Sequence, residues 1–127
     1  EMSHQEIAQN FAQFYYQTLA RDRAQLASLY QPLSMLTMEG TPCQGTQAIV
    51  EKLSGLPPLS HSAPPAIDTL DAQPSNPQGG LLIFVTGRLQ VDGEQMPLRF
   101  SQTFQLIPSG GPGGYFIQND IFRLNYG

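Results

Sequence analysis

Leu81-Leu82-Ile83-Phe84-Val85-Thr86-Gly87-Arg88-Leu89-Gln90-Val91 is a long run of strand-forming residues. Asp92-Gly93 follows it, a dipeptide suited to a tight hairpin because both residues tolerate positive φ. A second run, residues 99–107, comes next, so the two read as antiparallel neighbours. Residues 115–124 add a last strand through the Gly110-Gly111-Pro112-Gly113-Gly114 tract, and residues 67–72 add one ahead of the pair.

The first half of the chain has a different period. Ser3 and Glu6 have the S-x-x-E spacing of a capping box. Ile7, Phe11, Phe14, Tyr15 and Leu19 then recur at helical spacing, which predicts a helix over residues 3–20. Asp22 caps a second helix carrying Leu26, Leu29 and Tyr30, and Pro32 stops it. Residues 33–39 read as a strand, with Leu36 and Met38 on one side and Thr37 and Glu39 on the other. Residues 40–45 read as a loop. Thr46 caps a short helix with Ile49, Val50 and Leu53, and Gly55 suits a left-handed end. Helices followed by an antiparallel meander make an α+β fold: a cone-like curved antiparallel sheet with three helices packed on it, its open end a pocket. Proline and glycine cluster in residues 56–65, 74–80 and 108–114, too short for linkers, so residues 1–127 read as a single domain. Glu1 ahead of Met2 reads as a residue outside the natural chain, with Met2 as the start.

Of 127 residues, 40% are hydrophobic, enough for a packed interior. Only 13% are charged, about half the usual share. Ten acids against six bases give a net charge of −4. That balance argues against nucleic acid, which needs dense Lys and Arg. It argues equally against a polybasic membrane anchor. No apolar run approaches a membrane span, and the N-terminus lacks a signal-peptide layout. One cysteine, Cys43, excludes a disulfide scaffold and fits a reducing compartment. Sparse charge on a small domain points to apolar surface held against a partner.

Most chemical motifs are missing. There is no G-x-x-x-x-G-K-[ST], and the sole lysine, Lys52, lies in a helix. The glycine tract stands between strands, which makes it a turn and no phosphate cradle. His4, His61 and Cys43 are too few and too scattered for zinc, so neither metal nor cofactor is expected. No nucleophile elbow occurs, and Cys43 reads as a small packed thiol. The acids are more informative. Glu39, Asp92 and Glu94 fall at strand ends or beside a turn. Asp92 reads first as the Asp of its Asp-Gly turn, and Glu39 reads equally as an exposed strand residue. Together, three acids near a pocket mouth suit either a partner's Lys and Arg or an acid/base catalytic group, and spacing does not decide between them. Asp120 and Arg123 lie on opposite faces of the last strand, and Phe100, Phe104 and Phe122 read as core.

Eight pieces of sequence carry a resemblance. They are Tyr15-Tyr16, Leu36-Thr37-Met38-Glu39-Gly40, Gln44-Gly45, Ile49-Val50-Glu51-Lys52-Leu53, Leu56-Pro57, Asp71-Ala72-Gln73-Pro74, Arg99-Phe100-Ser101-Gln102-Thr103-Phe104 and Asn119-Asp120-Ile121-Phe122-Arg123-Leu124. In this order, over nearly the whole chain, they resemble the nuclear transport factor 2 family, and the ending Leu124-Asn125-Tyr126 is especially like its fungal members. The resemblance implies a homodimer formed through the sheets. It implies a carrier that binds the GDP-bound form of the small GTPase Ran, binds Phe-Gly repeats of nucleoporins, and returns Ran to the nucleus. Its expected locations are cytoplasm and nucleus, with enrichment at the nuclear pore. By position, the rim acids that would pair with Ran are Glu39, Asp92 and Glu94, the last standing where animal members carry Asp. The implied cavity lining, which takes an aromatic side chain of Ran, is Met38, Leu56, Leu89, Val91, Ile121 and Phe122. Two departures stand out: His4 replaces the aromatic that contacts Phe-Gly repeats, and residues 58–65 are longer and richer in proline than the family pattern. The same cone fold also hosts isomerases and dehydratases, which hold an acid or a histidine deep in the cavity, and adaptor domains for messenger-RNA export.

Overall fold

Ser3 and Glu6 form the reciprocal pair that their spacing predicts: Ser3 Oγ accepts from the Glu6 amide at 3.2 Å, and the Ser3 amide donates to Glu6 Oε1 at 3.0 Å. In this computed structural model, which describes residues 2–60, 63–109 and 114–125, that cap opens helix α1 (His4–Arg21). Glu1, His61, residues 110–113 of the glycine tract and Tyr126 lie outside the described residues. A 3₁₀ helix (Arg23–Leu29) follows, its start held by Asp22 Oδ1 accepting from the Ala24 amide at 3.2 Å. Then come β1 (Tyr30–Met38), β2 (Thr41–Gln44), α2 (Thr46–Ser54), β3 (Ala66–Pro74), β4 (Leu81–Leu89), β5 (Leu98–Pro108) and β6 (Tyr115–Leu124).

The six strands form one sheet in the order β2-β1-β6-β5-β4-β3. The α+β reading holds, and so does the meander β3 to β6, which is antiparallel throughout. One junction differs: β1 runs parallel to β6, so the sheet is mixed. Pro32 does not stop the second helix but lies inside β1. Strand pairing is interrupted between Tyr30 and Met35, and β2 joins only from Met35 onward, so no ladder needs the amide that proline lacks. The stretch read as a loop, residues 40–45, contains β2.

Two helix ends also depart from expectation. Gly45, at φ 94, is the N-cap of α2, while the Thr46 hydroxyl donates to the Tyr30 carbonyl at 3.0 Å. Gly55 stays right-handed at φ −81; its amide serves the Glu51 and Leu53 carbonyls, and an arginine donates to the Leu53 carbonyl as well.

Helix α1 buries Ala8, Ala12, Tyr15 and Tyr16 against the concave face of the sheet, where Ile83, Val85, Phe100, Phe104 and Leu106 are also buried. Phe14, read as part of the same stripe, is half exposed. Phe104 is the hub of an aromatic cluster, with ring centroids 5.0 Å from Phe11 and 4.9 Å from Tyr15. Each such burial contributes about 1.5–3 kcal/mol. On the convex face, Phe84, Thr103 and Ile121 stand in one cross-strand row, and Phe84 and Ile121 are exposed.

Candidate functional site

The concave face and the helices frame a half-open cavity of about 200 Å³. Tyr15 and Leu19 of α1, Arg23, Leu53 of α2, and Leu56 and Pro57 just beyond α2 line it. Met38 at the end of β1 and Glu39 in the turn after it, with Leu89, Val91 and Leu98, line it too. Leu59, Gln102, Phe122 and Leu124 complete the lining. Five of the six residues assigned to the cavity from sequence are therefore there: Met38, Leu56, Leu89, Val91 and Phe122. Ile121 is not. It neighbours Phe122 on a regular strand, so its side chain takes the convex face, where it is half exposed.

The three acids are positioned differently. Glu39 lines the cavity itself. With Gly40 it forms the two-residue connection of the β1–β2 hairpin, and both have positive φ, 52 and 86. Such a loop needs positive φ at both positions, and a glutamate there carries backbone strain. Its carboxylate accepts from the Leu124 amide, and its own amide donates to the Phe122 carbonyl at 3.0 Å. Glu94 lines an adjoining groove that shares Pro57, Val91 and Leu98 with the cavity. Asp92 lines neither and is exposed. Asp92-Gly93 does make a turn, closed by the Glu94 amide donating to the Val91 carbonyl at 3.0 Å. It is not the two-residue hairpin expected, because β4 and β5 stop pairing at Leu89 and Leu98. The wider loop lets residues 58–60 run alongside: the Asp92 amide donates to the Pro58 carbonyl and the Ser60 amide to the Gln90 carbonyl, both at 2.8 Å. The proline-rich departure thus abuts the predicted rim.

Asp120, read from sequence only as a strand residue, is 1% exposed. Its Oδ2 accepts from the Tyr30 hydroxyl at 2.7 Å and the Tyr15 hydroxyl at 3.4 Å, and its Oδ1 accepts from Gln102 Nε2 at 2.7 Å. Tyr16 extends the network by donating to Gln102 Oε1 at 2.8 Å. Burial raises the Asp120 carboxyl to about 6, against the lowering effect of its three donors, and burial pushes the phenols of Tyr15 and Tyr30 up. Asp120 does not line the cavity, although its partners Tyr15 and Gln102 do. No signal in the sequence links residues 15, 30, 102 and 120, since they meet only through the sheet.

A second groove, of about 420 Å³, runs beside α1 between Met2, Ile7, Phe11, Phe14, Leu29 and Tyr115. His4 is exposed on the first turn of α1 and does not line it. Among the described residues, no group of three His, Cys, Asp or Glu side chains is placed to hold a metal ion. Cys43 is partly buried on β2, and burial pushes its thiol up, away from nucleophilic character.

Residues 7–124 match the Nuclear transport factor 2 (NTF2) domain family. The chain is 52% identical over 124 residues to nuclear transport factor 2 of Emericella nidulans, covering 96% of this chain and 95% of that one. It is 52% identical over 122 residues to nuclear transport factor 2 of Saccharomyces cerevisiae, covering 94% and 93%. Among solved structures, nuclear transport factor 2 from Cryptosporidium parvum superposes with a TM-score of 0.83 at 47% identity, over 94% of this chain and 93% of that one. Sequence, strand order and cavity agree, and the chain belongs to the nuclear transport factor 2 family.

Proposed function

We propose that this chain is a transport carrier, not an enzyme: it binds the GDP-bound form of Ran, engages Phe-Gly repeats of nucleoporins, and carries Ran from cytoplasm to nucleus through the nuclear pore. The observation that carries this reading is the apolar cavity with the Glu39 carboxylate at its edge. Its volume of about 200 Å³ accepts an aromatic side chain, since a dry apolar cavity of roughly 150 Å³ already takes a benzene ring. Burial of the ring supplies affinity, and Glu39, with Glu94 and Asp92 beyond it, orients a basic partner. The groove at Phe14, Phe11 and Tyr115 suits a phenylalanine of a Phe-Gly repeat. The exposed row of Phe84 and Ile121 suits a second copy, giving a homodimer.

Asp120 bears on the enzymatic alternative, being a buried acid with a raised pKa. It supports that alternative poorly, because both its oxygens already accept from internal donors and it does not line the cavity. A pull-down of this protein with Ran loaded with GDP, against Ran loaded with a GTP analogue, tests the proposal. Preference for the GDP form is expected; binding to neither form overturns it.

A further inference from the structure

We infer that Arg23 is a positioning residue of the cavity: its guanidinium fixes the wall formed by residues 53–57, and its remaining N–H and its charge are offered to an acceptor oxygen on the inserted segment. This rests on the carrier reading of the same site. The geometry is specific. Nη1 donates to the carbonyls of Leu53 at 2.9 Å and Leu56 at 2.6 Å, and Nη2 donates to the Pro57 carbonyl at 2.5 Å. Nε reaches the Leu19 carbonyl at 3.4 Å. One planar group therefore joins the end of α1, where Leu19 lies, to the end of α2 and the two residues beyond Gly55. A guanidinium has five N–H groups in a rigid fork, so four are engaged and one has no acceptor among the described residues.

Nothing acidic accounts for this arginine. The ion pair found among the described residues is Arg88–Asp68, on the convex face. Arg23 instead sets its charge against carbonyls at helix C-terminal ends, where a cation is favoured. Arg23, Leu53, Leu56 and Pro57 all line the cavity, so moving the clamp moves the wall. The effect passes onward, because Pro58 follows directly and its carbonyl holds the Asp92 amide. Glu39 lines the same cavity, so the lining carries one positive and one negative group, which selects a segment with a basic group toward Glu39 and a carbonyl or carboxylate toward Arg23.

Two variants and two readouts test this. Arg23→Lys keeps the charge but has three donors and no fork; Arg23→Gln removes the charge. In the free protein, amide exchange at Leu53, Leu56 and Leu59 is expected to quicken roughly tenfold in Arg23→Lys while Leu106 in β5 keeps its protection. With GDP-bound Ran, Arg23→Lys is expected to dissociate roughly tenfold faster at an unchanged, salt-dependent association rate, and Arg23→Gln faster still. Wild-type exchange and wild-type dissociation in Arg23→Lys overturn the inference. Exchange that quickens equally at Leu106 also overturns it, because the role is then general stability. Should Arg23→Gln fail to fold, Arg23→Lys decides alone. If wild-type protein does not bind GDP-bound Ran, the carrier reading fails, and the exchange data still judge the clamp.

Discussion

Glu39 and Leu124 are joined across the cavity edge: the glutamate carboxylate accepts from the Leu124 backbone amide. The acid proposed to meet a basic partner therefore also ties the β1–β2 turn to the end of β6. Charge and anchoring can be separated by substitution.

Glu39→Gln retains an oxygen for the Leu124 amide and removes the charge. Its unfolding free energy is expected to stay within about 1 kcal/mol of wild type, since a net hydrogen bond contributes roughly that much. Affinity for GDP-bound Ran is expected to fall at least roughly tenfold, and Glu39→Lys to abolish binding while leaving the oligomeric state intact. Calorimetric titration with chemical denaturation of each variant separates the two effects; unchanged affinity in Glu39→Lys removes Glu39 from the site.

Asp120 makes stability depend on pH in an uncommon direction. Its folded pKa, about 6, lies above the ordinary value of 3.8, so between those values the folded state holds the extra proton. Ionisation thus costs stability as pH rises through about 6, and that cost is relieved as pH falls toward 4. The expected contribution is about 1–3 kcal/mol between pH 7.5 and pH 4.5. Urea unfolding at several pH values should show it, and Asp120→Asn should flatten the profile in this window.

Gly87 is fixed by space. A Cβ there would lie 2.3 Å from the Ala66 carbonyl oxygen and 3.0 Å from Phe100 Cζ. Backbone of β3 cannot yield without breaking its pairing, so Gly87→Ala is expected to cost about 1–3 kcal/mol or more, read from the denaturation midpoint. Gly93→Ala meets nothing within 4 Å and is strained only by its φ of 86, so a smaller loss of about 1 kcal/mol is expected.

Phe14 is half exposed beside the α1 groove, so truncating it removes little core. Phe14→Ala is expected to keep the thermal midpoint and to weaken Phe-Gly peptide binding, itself micromolar or weaker for so small a patch. A thermal melt checks the first, and NMR titration checks the second: peptide shifts should appear at residues 7–14 in wild type and shrink in the variant.

Much of this was legible before any coordinates. The cap at Ser3, the alternation in β1 and the strands β3 to β6 follow from local spacing, and local spacing is what sequence periodicity records. Of the five cavity residues, Met38, Leu56 and Phe122 sit in pieces that resemble the family, while Leu89 and Val91 follow from their position in the strand before the Asp92-Gly93 turn. The losses have a common cause. Arg23 meets three of its four acceptors 30 to 34 residues away, and Asp120 meets Tyr30 and Tyr15 at separations of 90 and 105. No period encodes such meetings. Ile121 departs from the expected lining because a motif names neighbours together, while a strand sends them apart. Asp92-Gly93 reads as the tight hairpin, yet Glu39-Gly40 is the two-residue turn, since pairing register rather than dipeptide preference decides where a ladder closes.

The alternation of β6 has a further consequence for how this family can vary. Phe122 lines the cavity while Ile121 stands on the convex face, so a single strand serves two surfaces through adjacent positions. Point substitutions can tune one surface and spare the other. Inserting or deleting one residue exchanges the two sets, sending the cavity wall outward and the outer row inward. The two surfaces are therefore free to drift in composition but bound together in length, and a lineage that loses one to such an event loses both.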